Sequence, residues 1–76
     1  MAHMPAQLQT IAVHVNGSKR DIPEGTTLEG LLLLFGLEKK SIVVEHNRQV
    51  ADKATYGMTY LKDNDYVEIV HFVGGG

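Results

Sequence analysis

The sequence contains no cysteine and no tryptophan among its 76 residues, and only two prolines. Without cysteine there is no disulfide frame and no thiol chemistry inside the chain. An excess of basic charge is also missing. Seven Lys and Arg against nine Asp and Glu give a formal net charge of −2, which offers no electrostatic footing for a nucleic-acid partner. No apolar run approaches the roughly 20 residues that a membrane-spanning helix needs; "LLLLFGL", Leu31 to Leu37, is far too short. The opening "MAHMPAQ" has no basic-then-apolar signal pattern, so the expected compartment is the cytoplasm. Metal-ligand spacing is absent around His14, His46 and His71. "EGTTLEG" lacks the glycine and lysine arrangement of a phosphate-binding loop.

What remains is an ordinary folded domain, 43% hydrophobic and 21% charged. A chain of this length makes one small core, burying only about 60% of the surface its unfolded form exposes. Residues 1–7 read as an extension, partly a cloning remnant ahead of Met4; 8–73 read as the domain and 74–76 as a flexible Gly-Gly-Gly tail.

From Leu8 to Val15 the side chains alternate, with Ile11, Val13 and Val15 on one face, the period of a half-buried strand. Asn16-Gly17 then predicts a tight hairpin, because a type I′ turn needs positive φ at both central positions. "SKRDI" returns as an exposed second strand. In "TTLEGLLLLFG" the period changes. Thr26 and Glu29 fit a capping box, Leu28, Leu31, Leu32 and Phe35 form one helical stripe, and Gly36 is placed to end a helix of about three turns. Leu33 and Leu34 fall off that stripe. "SIVVE" reads as a strand buried on both sides, "HNRQV" as a turn with a brief return, and "ADKATYGMTYL" as a loop with one helical turn. "KDNDY" is a tight turn. In the last strand Val67, Ile69 and Val73 point one way, with His71 in phase or at the strand's fraying end, and Tyr66, Glu68, Val70 and Phe72 the other.

The order β-β-α-β-β-β predicts an α+β fold: a mixed sheet with one main helix packed across it, the last strand central and parallel to the first. This is a ubiquitin-like β-grasp. Gly74, Gly75 and Gly76 then leave the end of a central strand as an arm of about 10 Å, at 3.3–3.6 Å per residue. Lacking Cβ atoms, they can thread a channel closed to other residues. A terminal carboxylate is ionised near neutrality and repels nucleophiles, so a partner must activate it, as adenylation by ATP does. Such a chain is a substrate and not a catalyst.

"VNGSKRDIPEGTTLEGLL", "IVVEHNRQV" and "LKDNDYVEIVHFVGGG" resemble the ThiS family of bacterial thiamine-biosynthesis sulfur carriers, from about Leu8 onward. The resemblance implies that Gly76 is adenylated by a ThiF-like, E1-type enzyme and converted to a thiocarboxylate. A sulfur-donating enzyme supplies the sulfur, and a ThiG-like thiazole synthase receives it. Gly75 and Gly76 match the family's reactive pair and Gly74 the small residue before it. ATP and magnesium belong to the activating partner, and this chain binds no cofactor. Asn64 stands where the family commonly has glycine in the turn, which asparagine tolerates because it adopts left-handed angles.

Tyr66, Val70 and Phe72 are expected on the open sheet face as the docking surface for those partners; the plainer reading is that they only cover the sheet or meet a neighbouring chain in a dimer. Two alternatives share the fold. One is a carrier of another pathway, such as the small subunit of molybdopterin synthase, although "HFVGGG" lacks the proline common there. The other is a plain interaction module that never uses its carboxylate.

Overall fold

The structure, a computed structural model, describes residues 9–72. Five strands and one α-helix are present: β1 (Thr10–Val15), β2 (Ser18–Pro23), α1 (Leu28–Leu34), β3 (Ile42–His46), β4 (Gln49–Val50) and β5 (Tyr66–His71). They form a single sheet in the order β2-β1-β5-β3-β4. β5 is central, parallel to β1 and antiparallel to β3, which is the β-grasp arrangement that the element order predicts.

The hairpin between β1 and β2 turns on Asn16 and Gly17, with φ of 48° and 84°, as a type I′ turn requires. Strand alternation sends Val13 and Val15 of β1, Ile42 and Val44 of β3, and Val67 and Ile69 of β5 to the helix side. There they meet Leu28, Leu31 and Leu32, all buried. Leu33 and Leu34 stay in solvent on the far side of the helix.

The helix differs from expectation at its start. It spans seven residues, about two turns at 3.6 residues per turn, and its N-cap is Thr27, not Thr26. Thr27 Oγ1 accepts from the Gly30 N–H at 3.0 Å. Thr26 and Thr27 are held extended instead, because Leu61 N donates to Thr26 O and Leu28 N to Thr59 O, both at 2.9 Å. A bridge to the segment around Tyr60 thus outcompetes the first helical turn. The other end behaves as read. Gly36 adopts φ 71°, Gly36 N donates to Leu33 O and Leu37 N to Leu32 O, the paired bonds of a Schellman stop.

One further reading is corrected and two are made more specific. β3 is buried on one side only: Ile42 and Val44 are covered, while Val43 and Glu45 are half-buried on the open face. His71 keeps the phase of Ile69, standing opposite buried Ile42, but is exposed where β5 ends. "ADKATYGMTYL" contains a six-residue 3₁₀ helix, Lys53–Met58, whose Tyr56 is wholly buried in the core. Among the described residues its hydroxyl has no hydrogen-bond partner. Burial pushes the phenol pKa up, against a smaller opposing pull from the Val44 backbone that falls short of a hydrogen bond.

Candidate functional site

β5 is the strand that leads toward the glycines, and two asparagines grip it from opposite sides. Both occupy left-handed turn positions, Asn16 with φ 48° and Asn47 with φ 51°. Beyond Val15 the β1 ladder ends, and the Asn16 side chain takes over as a substitute peptide. Its Nδ2 donates to Ile69 O at 3.1 Å and its Oδ1 accepts from Ile69 N at 2.7 Å. On the β3 side, Asn47 Oδ1 accepts from Tyr66 N at 2.9 Å and Asn47 N donates to Tyr66 O at 2.8 Å. Phe72, the last described residue, donates its N–H to Ser41 O at 3.0 Å. β5 therefore keeps backbone partners up to the point where the description stops. Val73, Gly74, Gly75 and Gly76 lie outside the described residues.

Below the start of β5 a buried carboxylate ties three segments together. Asp65 Oδ2 accepts from the Lys62 N–H and lies 2.7 Å from His46 Nε2, and Asp65 Oδ1 accepts from Asn47 Nδ2 at 3.1 Å. Burial alone raises this carboxyl's pKa, but the hydrogen bonds from His46, Asn47 and Lys62 outweigh it and the net shift is downward. A carboxyl with a lowered folded pKa stabilises the fold above its unfolded pKa of about 3.9, and that contribution fades as pH falls through the folded value. Asp65→Asn presents an N–H to groups that already donate. It is expected to cost about 1–3 kcal/mol at pH 7, with the gap to wild type narrowing below about pH 4. Urea denaturation at pH 7 and pH 3 checks this; a gap that does not change with pH contradicts it.

The open sheet face carries the docking candidates. Tyr66, Val70 and Phe72 are each more than half exposed, at 58%, 54% and 56%. Tyr66 is stacked on His14, with ring centroids 4.5 Å apart and planes 11° from parallel. Val70 stands opposite Val43 and Glu68 opposite Glu45 across the β3–β5 pair. Two like charges directly opposed on one face destabilise the sheet slightly, and among the described residues neither carboxylate has an ion-pair partner. The arrangement is an apolar band with an acidic centre. Glu45, Asn16 and Asn47 were not singled out by sequence reasoning: the asparagines read only as turn formers, and Glu45 as part of a strand buried on both sides. Their left-handed turn positions were visible in the pattern, but their partners are up to 53 residues away.

Among the described residues no helix is long and apolar enough to cross a membrane. Comparison with known proteins adds the family. The model of the ThiS family matches residues 3–76. The sulfur carrier protein ThiS of Bacillus subtilis is 46% identical over 50 residues, covering 66% of this chain and 76% of the relative. A thiazole synthase of Magnetococcus marinus is 44% identical over 84% of this chain, which spans only 20% of that longer protein. The crystal structure of the thiamine biosynthesis protein ThiS from Geobacter metallireducens superposes with a TM-score of 0.76 at 29% identity, covering 87% of this chain and all of the other. A matching family model over nearly the whole length, on a matching β-grasp fold, places this chain in the ThiS family.

Proposed function

We propose that this protein is the sulfur carrier for thiazole formation, charged at the carboxylate of Gly76. The observation that carries the reading is the setting of β5: a central strand, gripped on both edges, whose sequence continues directly into three glycines. The family match extends through residue 76, and a similar segment forms part of a thiazole synthase chain in Magnetococcus marinus.

The chemistry follows from the carboxylate. Its oxygen attacks the α-phosphate of ATP on a ThiF-like partner and pyrophosphate leaves, giving an acyl adenylate. A persulfide on a donor enzyme then displaces AMP, which leaves with the electron pair, and a thiol reductant cleaves the S–S bond of the acyl disulfide to leave a thiocarboxylate, which a ThiG-like synthase consumes. ATP and magnesium are held by the activating partner, and the reaction takes place in the cytoplasm. This chain contributes an unhindered acyl end and a rigid body to aim it. It is a carrier, acted upon by enzymes.

Docking uses the open face. Tyr66, Val70 and Phe72 supply the apolar contact, and Glu45 with Glu68 select a partner surface bearing basic side chains. Val70→Asp adds a third carboxylate to that face and removes a central apolar contact. A loss of about 2 kcal/mol, typical of an interface hot spot, corresponds to roughly a 30-fold rise in the concentration needed to half-saturate ATP–pyrophosphate exchange by the activating enzyme. An unchanged half-saturation point would show that the partner docks elsewhere.

A further inference from the structure

We infer that Asn16 is a positioning residue for partner docking: its side chain holds β5 against β1 and so keeps the open face in one shape. The inference deepens the carrier reading above and rests on it.

The sheet consists of two halves, β2–β1 and β5–β3–β4, joined along the seam between β1 and β5. On its β3 side, β5 is paired over five positions, from Val67 with His46 to His71 with Ile42. On its β1 side it is paired at two, Tyr66 with His14 and Val67 with Val15. The chain then leaves β1 through the Asn16-Gly17 turn, and no strand continues alongside Ile69. Asn16 lengthens the seam. Its backbone N–H donates to Val67 O at 2.9 Å, and its side-chain amide donates to Ile69 O and accepts from Ile69 N. A carboxamide can do this because it carries both a donor and an acceptor, as a peptide group does. Among the described residues these two side-chain bonds are the hydrogen bonds that hold the β1 edge of β5 beyond Val67.

The proposed docking surface spans that seam. Tyr66 of β5 stacks on His14 of β1, and Glu68 and Val70, the exposed neighbours of Ile69, stand further along β5. With the clamp removed, β5 stays with β3 and is free to turn away from β1, which shifts Val70 relative to the His14–Tyr66 pair. A partner shaped to the closed face then meets fewer competent molecules, and its apparent affinity falls in proportion to the closed fraction. The fold itself depends little on the clamp, since Asn16 is exposed and outside the core. Asn16→Gly is therefore a clean probe. Gly-Gly also forms a type I′ turn, so the hairpin is kept and only the side-chain bonds are lost.

The experiment titrates the full chain, wild type and Asn16→Gly, against its adenylating enzyme in ATP–pyrophosphate turnover, well below the unfolding temperature of either. NMR follows amide hydrogen exchange of Ile69 in both. The Ile69 amide of N16G is expected to exchange about tenfold faster, having lost its acceptor. The half-saturation concentration is expected to rise about fivefold at an unchanged maximal rate, as a closed fraction of about one fifth requires. Ile22→Val, a change at a buried core residue on β2, lowers stability without touching the seam and should keep the wild-type half-saturation. Three results overturn the inference alone: Ile69 protection retained in N16G, protection lost with half-saturation unchanged, or an equal rise in I22V. A fall in maximal rate in place of the rise does so too. Absence of pyrophosphate turnover with the wild-type chain overturns the carrier reading and this inference with it.

Discussion

A chain lacking Gly76 is expected to fold as the full-length protein does and to acquire no sulfur. The described core and strands lie within residues 9–72, so the deletion removes no residue of either. It shortens the chain by one residue, at most about 3.3–3.6 Å of reach. A misplacement of about 1 Å at a reacting centre can already cost 100-fold in rate, and a partner built to meet the 76th residue's carbonyl will not find one in the remaining Gly75. Circular dichroism and thermal unfolding should match wild type, while thiocarboxylate formation falls below detection. Sulfur loading of the truncated chain at the wild-type rate would falsify the assignment of Gly76.

Two leucines of the helix, two positions apart, should behave in opposite ways. Leu31 is fully buried against the sheet and Leu33 is 73% exposed. Leu31→Ala removes buried methyl groups and leaves a cavity, at a cost of about 3–5 kcal/mol. For a domain of this size, with total stability of about 4–11 kcal/mol, that is a large share of the whole, and Tm should fall by roughly 12 °C or more. Leu33→Ala should stay within about 0.5 kcal/mol. Guanidinium unfolding separates the two, with the denaturant slope unchanged in both if the transition remains two-state. Equal effects would mean that the helix presents a different face to the core.

The contrast between those leucines was legible in the sequence, because helical spacing alone puts Leu28, Leu31 and Leu32 on one stripe. So were the Asn16-Gly17 turn, the Gly36 stop and the central position of the last strand. Asn64 is left-handed, with φ 72°, as its place in the turn suggested. Local patterning carries such features, since each depends on a few neighbouring residues. The misreadings depend on distant ones. Thr26 looked like the helix cap, but its backbone pairs with Leu61. "SIVVE" looked doubly buried because β-branched residues suit either case, and only the absence of a second covering layer decides it. Tyr56 sits in a stretch without periodicity, and a 3₁₀ helix leaves little pattern to read. At the candidate site, Tyr66, Val70 and Phe72 were visible from strand alternation. The grips of Asn16 and Asn47 on β5 were not, because a turn residue gives no sign of what its side chain reaches across the sheet.

The most direct measurement is the intact mass of the full-length chain after incubation with its adenylating enzyme, ATP, magnesium and a sulfur donor. Exchange of one oxygen for one sulfur, confined to Gly76 and absent from a chain whose carboxyl terminus is amidated, is the predicted result. Sulfur incorporated into the amidated chain, or an unchanged mass while ATP is turned over and sulfur is present, contradicts the account.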